Sequence, residues 1–313
     1  MRNLKKSILS ILAAGIMAFS FTACGTNNDS ISSTKTTAAA TVVNREGNKI
    51  TIPDSLSKIV STEPSITEIL IGLGLKDKII ATDKNSADTG VDAKIATIDT
   101  MNMNIEQIVA LKPEVVFIDG MSTVGSDDPY AALKDAGITV LFIPTVNSLQ
   151  DIMDDITFIS TYTKTADKGS EMVGNIKSTI ENLKTIGDKI TEKKTVYFEV
   201  SAAPSCYSFG KGTYLNEIIE LVGAKNVFSD KESWISVTEE NVISANPDAI
   251  ITNVKYDGYD YKEISTRPGW DATNAVKNKA IVQVSPNLTS RPSQNVVNGM
   301  KEIAKAIYPD QYK

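Results

Sequence analysis

The chain has 313 residues, 42% hydrophobic and 22% charged, with a net charge of −6 and no histidine. It is long enough for one large core or two of ordinary size, and its acidic balance argues against a nucleic-acid surface. Without histidine, catalytic triads built on imidazole and most zinc sites are excluded.

The N-terminus reads as an export signal. Arg2, Lys5 and Lys6 precede a short apolar run over 8–21, which ends in Phe21, Thr22, Ala23 and Cys24. This ending resembles the lipobox of bacterial lipoproteins, with Phe21 where leucine is usual, and implies a signal peptide over 1–24 and a lipid on Cys24. The polar tract 25–43 buries too little to fold and is expected to be a flexible tether. Cys206 is the second cysteine, so no disulfide is expected and Cys206 reads as a small buried side chain near a strand end.

A hairpin is predicted over 41–44 and 49–52, turning at Gly47. Strands then alternate with helices: strands at 58–61, 79–81, 115–119 and 139–142, helices at 65–72, 105–110, 129–136 and 148–161. This grammar predicts a parallel sheet covered on both faces, forming an N-terminal lobe over 44–165. Residues 166–190 predict one long helix. Met172, Val173, Ile176, Ile180, Leu183, Ile186 and Ile190 form a continuous apolar stripe, read as the spine between two lobes. The C-terminal lobe, 191–313, repeats the pattern with strands at 194–200, 227–228, 249–253 and 280–284 and helices at 214–222, 239–245, 273–278 and 296–307. No P-loop or dinucleotide fingerprint occurs with the required glycine spacing. The fold class is therefore α/β: two small Rossmann-like lobes with parallel-rich sheets, bridged by one long rigid helix.

An internal repeat supports the two lobes. Residues 104–118 align without a gap on 238–252, at a constant offset of 134. Each copy has a capping residue (Asn104, Thr238), a short amphipathic helix, a corner proline (Pro113, Pro247) and an apolar strand. Each copy also carries a glutamate two residues after its cap, Glu106 and Glu240. Their spacing fits either carboxylates placed favourably on exposed helical amides or a matched pair of acidic knobs, one per lobe.

The order Ser61-Thr62-Glu63-Pro64-Ser65, Asn104-Ile105-Glu106 with its Lys112-Pro113 corner, Gly210-Lys211-Gly212-Thr213-Tyr214, and Gly223-Ala224-Lys225-Asn226 resembles the substrate-binding proteins of ABC importers for iron chelates, haem and vitamin B12. The resemblance spans about residues 57–309. It implies a class III bilobal binding protein, no enzymatic activity and no resident cofactor, held by lipid on the extracytoplasmic face of the cell membrane. The implied partners are a small-molecule chelate and a permease–ATPase complex, whose arginines receive Glu106 and Glu240.

Expected ligand-binding residues lie at strand ends and interlobe loops: Pro64, Ser65, Met121, Ser122, Tyr207, Phe209, Trp234, Tyr256, Tyr259 and Arg291. Trp234 stands six residues before Glu240, the relation that a cobalamin-stacking tryptophan has to its docking glutamate in B12-binding members. After the signal, only Arg45, Arg267 and Arg291 supply guanidinium groups, few for an anionic catecholate complex. A corrinoid is the expected ligand, with a ferric siderophore or haem as the alternative. A secreted glycoside hydrolase using a carboxylate pair is the remote alternative; equivalent positions on two lobes should lie too far apart for that chemistry.

Overall fold

A computed structural model of the chain describes residues 39–120 and 130–313. The lobe-one elements are β1 (Thr41–Val43), β2 (Lys49–Thr51), β3 (Ile59–Ser61), α1 (Pro64–Gly72), β4 (Ile79–Asp83), β5 (Ala96–Ile98), α2 (Ile105–Leu111), β6 (Val115–Asp119), α3 (Ala131–Asp135), β7 (Thr139–Ile143) and α4 (Leu149–Tyr162). Strands β1 and β2 form the expected antiparallel hairpin, so the last three residues of the stretch expected to be a tether, Thr41–Val43, are a paired strand with Val42 packed against the core. The other five make one parallel sheet in the order β5-β4-β3-β6-β7. All three residues of β3 are buried, and β6 is buried over its first four, as parallel strands covered on both faces must be.

Helix α5 (Ala166–Gly187) follows α4 after a short turn. Met172, Ile176 and Leu183 are buried, while Val173, Ile180 and Ile186 pack partly covered beside them. The helix stops at Gly187, three residues before the expected end. There it meets Gly223: a Cβ on either glycine would collide with the other's backbone or with the carbonyl of Leu221. Ile190 continues the stripe from a turn rather than from the helix.

Lobe two contains β8 (Thr195–Glu199), β9 (Tyr207–Phe209), α6 (Tyr214–Leu221), β10 (Lys225–Asn226), β11 (Trp234–Ser236), α7 (Glu239–Ala245), β12 (Ala249–Thr252), α8 (Asn274–Lys277), β13 (Ile281–Gln283), α9 (Pro286–Thr289) and α10 (Val296–Ile307). Its sheet is parallel, in the order β10-β8-β12-β13, and β11 with β9 adds a separate antiparallel ribbon. The strand expected at 227–228 lies two residues earlier, at β10, because Lys225 and Asn226 pair with β8.

The repeat is structural. Asn104 caps α2 by accepting from the Gln107 amide, and Thr238 caps α7 by accepting from Asn241. Both helices end on a left-handed residue, Lys112 (φ 51°) and Asn246 (φ 45°), immediately before their prolines. Strand β6 pairs with β3 as β12 pairs with β8, so the two copies occupy the same place in their sheets.

One hydrophobic cluster runs through both lobes. It joins Ile59 and Phe117 of the first sheet to Val196 and Ile251 of the second through Ile69, Ile156, Ile176, Ile219 and Ile303. The outer faces of the sheets have separate clusters, around Val116 and Leu133 in lobe one and Tyr197 and Trp270 in lobe two. A shared core bolts each lobe to the same helices and leaves little freedom for hinge bending.

Candidate functional site

In lobe one the chain passes from β3 to β4 on one side and later to β6 on the other, so the order reverses between β3 and β6. In lobe two it reverses between β8 and β12. Such switch points open a crevice outside the carboxyl ends of the strands. Both crevices face one cleft, a cavity of about 610 Å³. Glu63, Ser65, Asp119 and Gly120 reach it from the first switch point, and Val200, Ser201 and Asn253 from the second. Ile66 and Ile69 of α1, Tyr214 and Leu215 of α6, Ile143 at the end of β7, and Pro144 and Val146 just after it make its remaining wall largely apolar.

Trp234 enters from the ribbon and is 40% exposed. Its ring meets Phe209 edge-on at 5.7 Å, and Phe209 packs on Phe198 at 5.3 Å. Phe209 is thus wholly buried behind the tryptophan, fixing its orientation without lining the cavity.

The polar groups are unevenly charged. Glu63 and Asp119 hydrogen-bond to each other; burial, with Asp119 and Asp83 adding repulsion, pushes the Glu63 carboxyl up to about 8. Asp155 also lines the cavity, held by Arg45 through bonds of 2.7 and 2.9 Å. Burial pushes its carboxyl up to about 6 against the opposing pull of Arg45. Among the described residues no lysine or arginine lines this chamber.

The other expected ligand residues are distributed as follows. Tyr207 lines the cleft, 46% exposed, as does Ser65; Pro64 is buried at the first position of α1 between two lining residues. Tyr256 lines an adjoining hollow. The Tyr259 hydroxyl donates to Glu199 at 2.9 Å, supporting a fully buried carboxylate that also binds Arg267. Arg291 ties the lobes together rather than facing the cavity, through Glu68 at 3.2 Å and Asp88 at 2.8 Å. Met121, Ser122 and Cys24 lie outside the described residues. Cys206 is a buried free thiol. Sequence reasoning missed Glu63, Asp119, Tyr214, Leu215, Val200, Ser201 and Asn253. The repeat carried a signal for two of them, since its offset places Asp119 on Asn253.

Glu106 and Glu240 are the second residues of α2 and α7, both exposed and both outside the cavity wall. Each helix leads back to the amino end of its strand, so its first turn lies on the carboxyl-end side of the sheet, where the cleft opens. Hydrogen bonds from its own amide and the Thr238 side chain hold the Glu240 carboxyl below the usual range.

Two parallel α/β lobes on a common helical backbone, with a cleft between their switch points, define a class III solute-binding protein of the kind that serves ABC importers. The chain belongs to the periplasmic binding protein family, whose model matches residues 59–288. It is 34% identical to the uncharacterized ABC transporter substrate-binding lipoprotein YvrC of Bacillus subtilis, over 97% of this chain and 96% of that one. A vitamin B12-binding protein of Vibrio parahaemolyticus is 24% identical over 80% of this chain and 90% of its own. A solved structure of a possible iron-binding (periplasmic solute-binding) protein from Staphylococcus epidermidis is 30% identical and superposes with a TM-score of 0.70, covering 82% of this chain and all of that one. The family and fold are those of transport binding proteins, not of enzymes. Membership implies a small-molecule ligand, a permease–ATPase partner and an extracytoplasmic location.

Proposed function

We propose that this binding protein captures a corrinoid in the interlobe cleft and delivers it to its permease. The observation that carries the reading is the composition of the main chamber, which pairs apolar and aromatic walls with acidic groups and, among the described residues, has no basic side chain. An anionic ferric catecholate would find no basic side chain in this wall. It would meet the Glu63–Asp119 pair, which shares a proton, and Asp155, whose charge is offset only by Arg45, a residue that does not line the cavity; that arrangement opposes binding. A corrin ring offers a broad apolar face for Trp234, and its peripheral amides can donate to Glu63, Asp119 and the Asn253 side-chain oxygen. The relative named a vitamin B12-binding protein lends support.

Haem is the second reading, favoured by Tyr207, whose phenol lines the same chamber and has the chemistry of an axial oxygen ligand. Calorimetric titration of the full chain with cyanocobalamin, haem and a panel of ferric siderophores tests both. Saturable binding of cyanocobalamin is expected; binding of haem or a siderophore with no heat from cobalamin overturns the corrinoid assignment.

In this reading Glu106 and Glu240 are the pair that docks on the permease, and Cys24 carries the lipid anchor, as the name of the Bacillus subtilis relative also favours.

A further inference from the structure

The cleft has a second chamber of different chemistry. Beside the main cavity lies a hollow of about 460 Å³, and Val200, Ser201, Asn253 and Ser290 belong to the walls of both. The two chambers therefore adjoin around the carboxyl ends of β8 and β12. Lys255 is the one basic side chain in either wall among the described residues, and it forms no ion pair with any of them. The same wall carries Ser201, Ser205 and Ser290 and the 60% exposed Tyr256. That ring lies against Tyr259 at 5.1 Å between centroids, and Tyr259 is fixed in turn by Glu199. Negative charge thus faces the large apolar chamber, positive charge the small hydroxylated one.

We propose that the small chamber is a subsite for the phosphodiester-bearing nucleotide arm of the ligand, with Lys255 and the neighbouring serine hydroxyls receiving the phosphate and Tyr256 the base. The proposal rests on the corrinoid reading and deepens it. In cyanocobalamin the cobalt–corrin centre carries a formal positive charge, balanced by the negative phosphodiester of an arm that leaves the ring edge. The two chambers divide charge in the same sense, the complementarity that fixes the orientation of a bound partner. A flat base at the end of the arm finds an exposed aromatic face on Tyr256.

The test compares cyanocobalamin with cobinamide, which has the same ring and no nucleotide arm, by calorimetry on the full chain. The unaltered protein should prefer cobalamin by roughly tenfold, a modest difference for one solvated ionic contact together with a stacked ring. Lys255→Gln should lower cobalamin affinity by roughly three- to fivefold, as for an exposed ion pair, and Lys255→Glu by more. Neither should alter cobinamide affinity by more than about twofold, and added salt should weaken cobalamin binding in the unaltered protein but not in Lys255→Gln. Equal affinity for the two corrinoids, or variants that shift both alike, removes the subsite and leaves the corrinoid assignment standing. Failure of both corrinoids to bind overturns that assignment and the subsite with it. Haem binding that depends on Lys255, with no cobalamin binding, assigns the lysine to a propionate and overturns the phosphodiester.

Discussion

Asp119, the last residue of β6, and Asn253, the residue after β12, stand 134 positions apart and close on the same cavity from opposite lobes. The register that pairs Ser61 with Phe117 also pairs Phe198 with Ile251, so Glu63 of lobe one corresponds to Val200 of lobe two. The pseudo-symmetric frame thus presents two carboxyls on one side and an apolar side chain with an amide on the other. The scaffold repeats, while the chemistry it points at the ligand does not.

The acidic side has a measurable signature. Because the folded-state value of Glu63 is raised from 4.5 to about 8, the folded protein holds a proton that the unfolded chain releases at lower pH. That contribution to stability is fully present below about 4.5 and is lost as pH rises through about 8. Glu63→Gln should flatten the slope of stability across this window and stabilise the protein at pH 8 by about 1–3 kcal/mol, read by urea denaturation at several pH values. An unchanged slope in the variant would place the titration elsewhere.

Glu68 and Arg291 give a second test. The buried Glu68 carboxylate of α1 accepts from Arg291, from the Ser293 hydroxyl and from Asn295 at 2.9 Å, all on the segment leading into α10. Arg291→Ala would leave a buried carboxylate with neutral donors alone. The partly exposed pair should be worth about 2–3 kcal/mol, at or below the range for breaking a buried one. Urea denaturation measures the loss, and a change below about 0.5 kcal/mol, as for a surface pair, would mean that the tie does not hold the lobes.

These two residues also mark the limits of sequence reading. The lobes, the spine and the repeat were legible because hydrophobic period and capping residues are local signals, as at Ser148, which forms a capping box with Asp151 at the start of α4. Arg291 read as a cleft residue because a lone arginine in a loop announces availability. Its partners, Glu68 and Asp88, lie more than 200 positions away and no local pattern connects them. Phe209 carried the same ambiguity, since alternation cannot say whether an aromatic residue forms a wall or supports one. The ribbon joining β9 to β11 went unseen, each strand being only three residues long.

Replacing Glu106 and Glu240 together by glutamine should leave ligand affinity within about twofold, because neither side chain reaches the cavity, and should weaken association with the permease, most clearly at low salt. Co-purification with the permease complex and calorimetric titration separate the two effects. Loss of ligand binding by a folded double variant would assign these carboxylates to the cleft.

Cys24→Ala should abolish incorporation of labelled fatty acid and leave precursor or released protein, while the thermal unfolding of the domain is unchanged. Undiminished labelling of the variant would rule out the anchor.

Trp234 provides the most direct test of the ligand. Its ring lines the main chamber, backed by Phe209 and beneath it Phe198, so it offers the cavity a fixed aromatic face. A stacked ring contributes about 0.5–1.5 kcal/mol beyond the area it buries. Trp234→Ala should therefore weaken cobalamin binding by about tenfold or somewhat more, each 1.4 kcal/mol being about a factor of ten. The lobe should stay folded, because Phe209 keeps its contact with Phe198. Arg291→Ala is the control: its side chain is outside the cavity wall, so in protein that remains folded it should change cobalamin affinity less than the tryptophan variant does. The reverse order, with ferric siderophore binding that collapses in Arg291→Ala and is indifferent to Trp234→Ala, would move the ligand to the iron-chelate class and make the arginine part of its site.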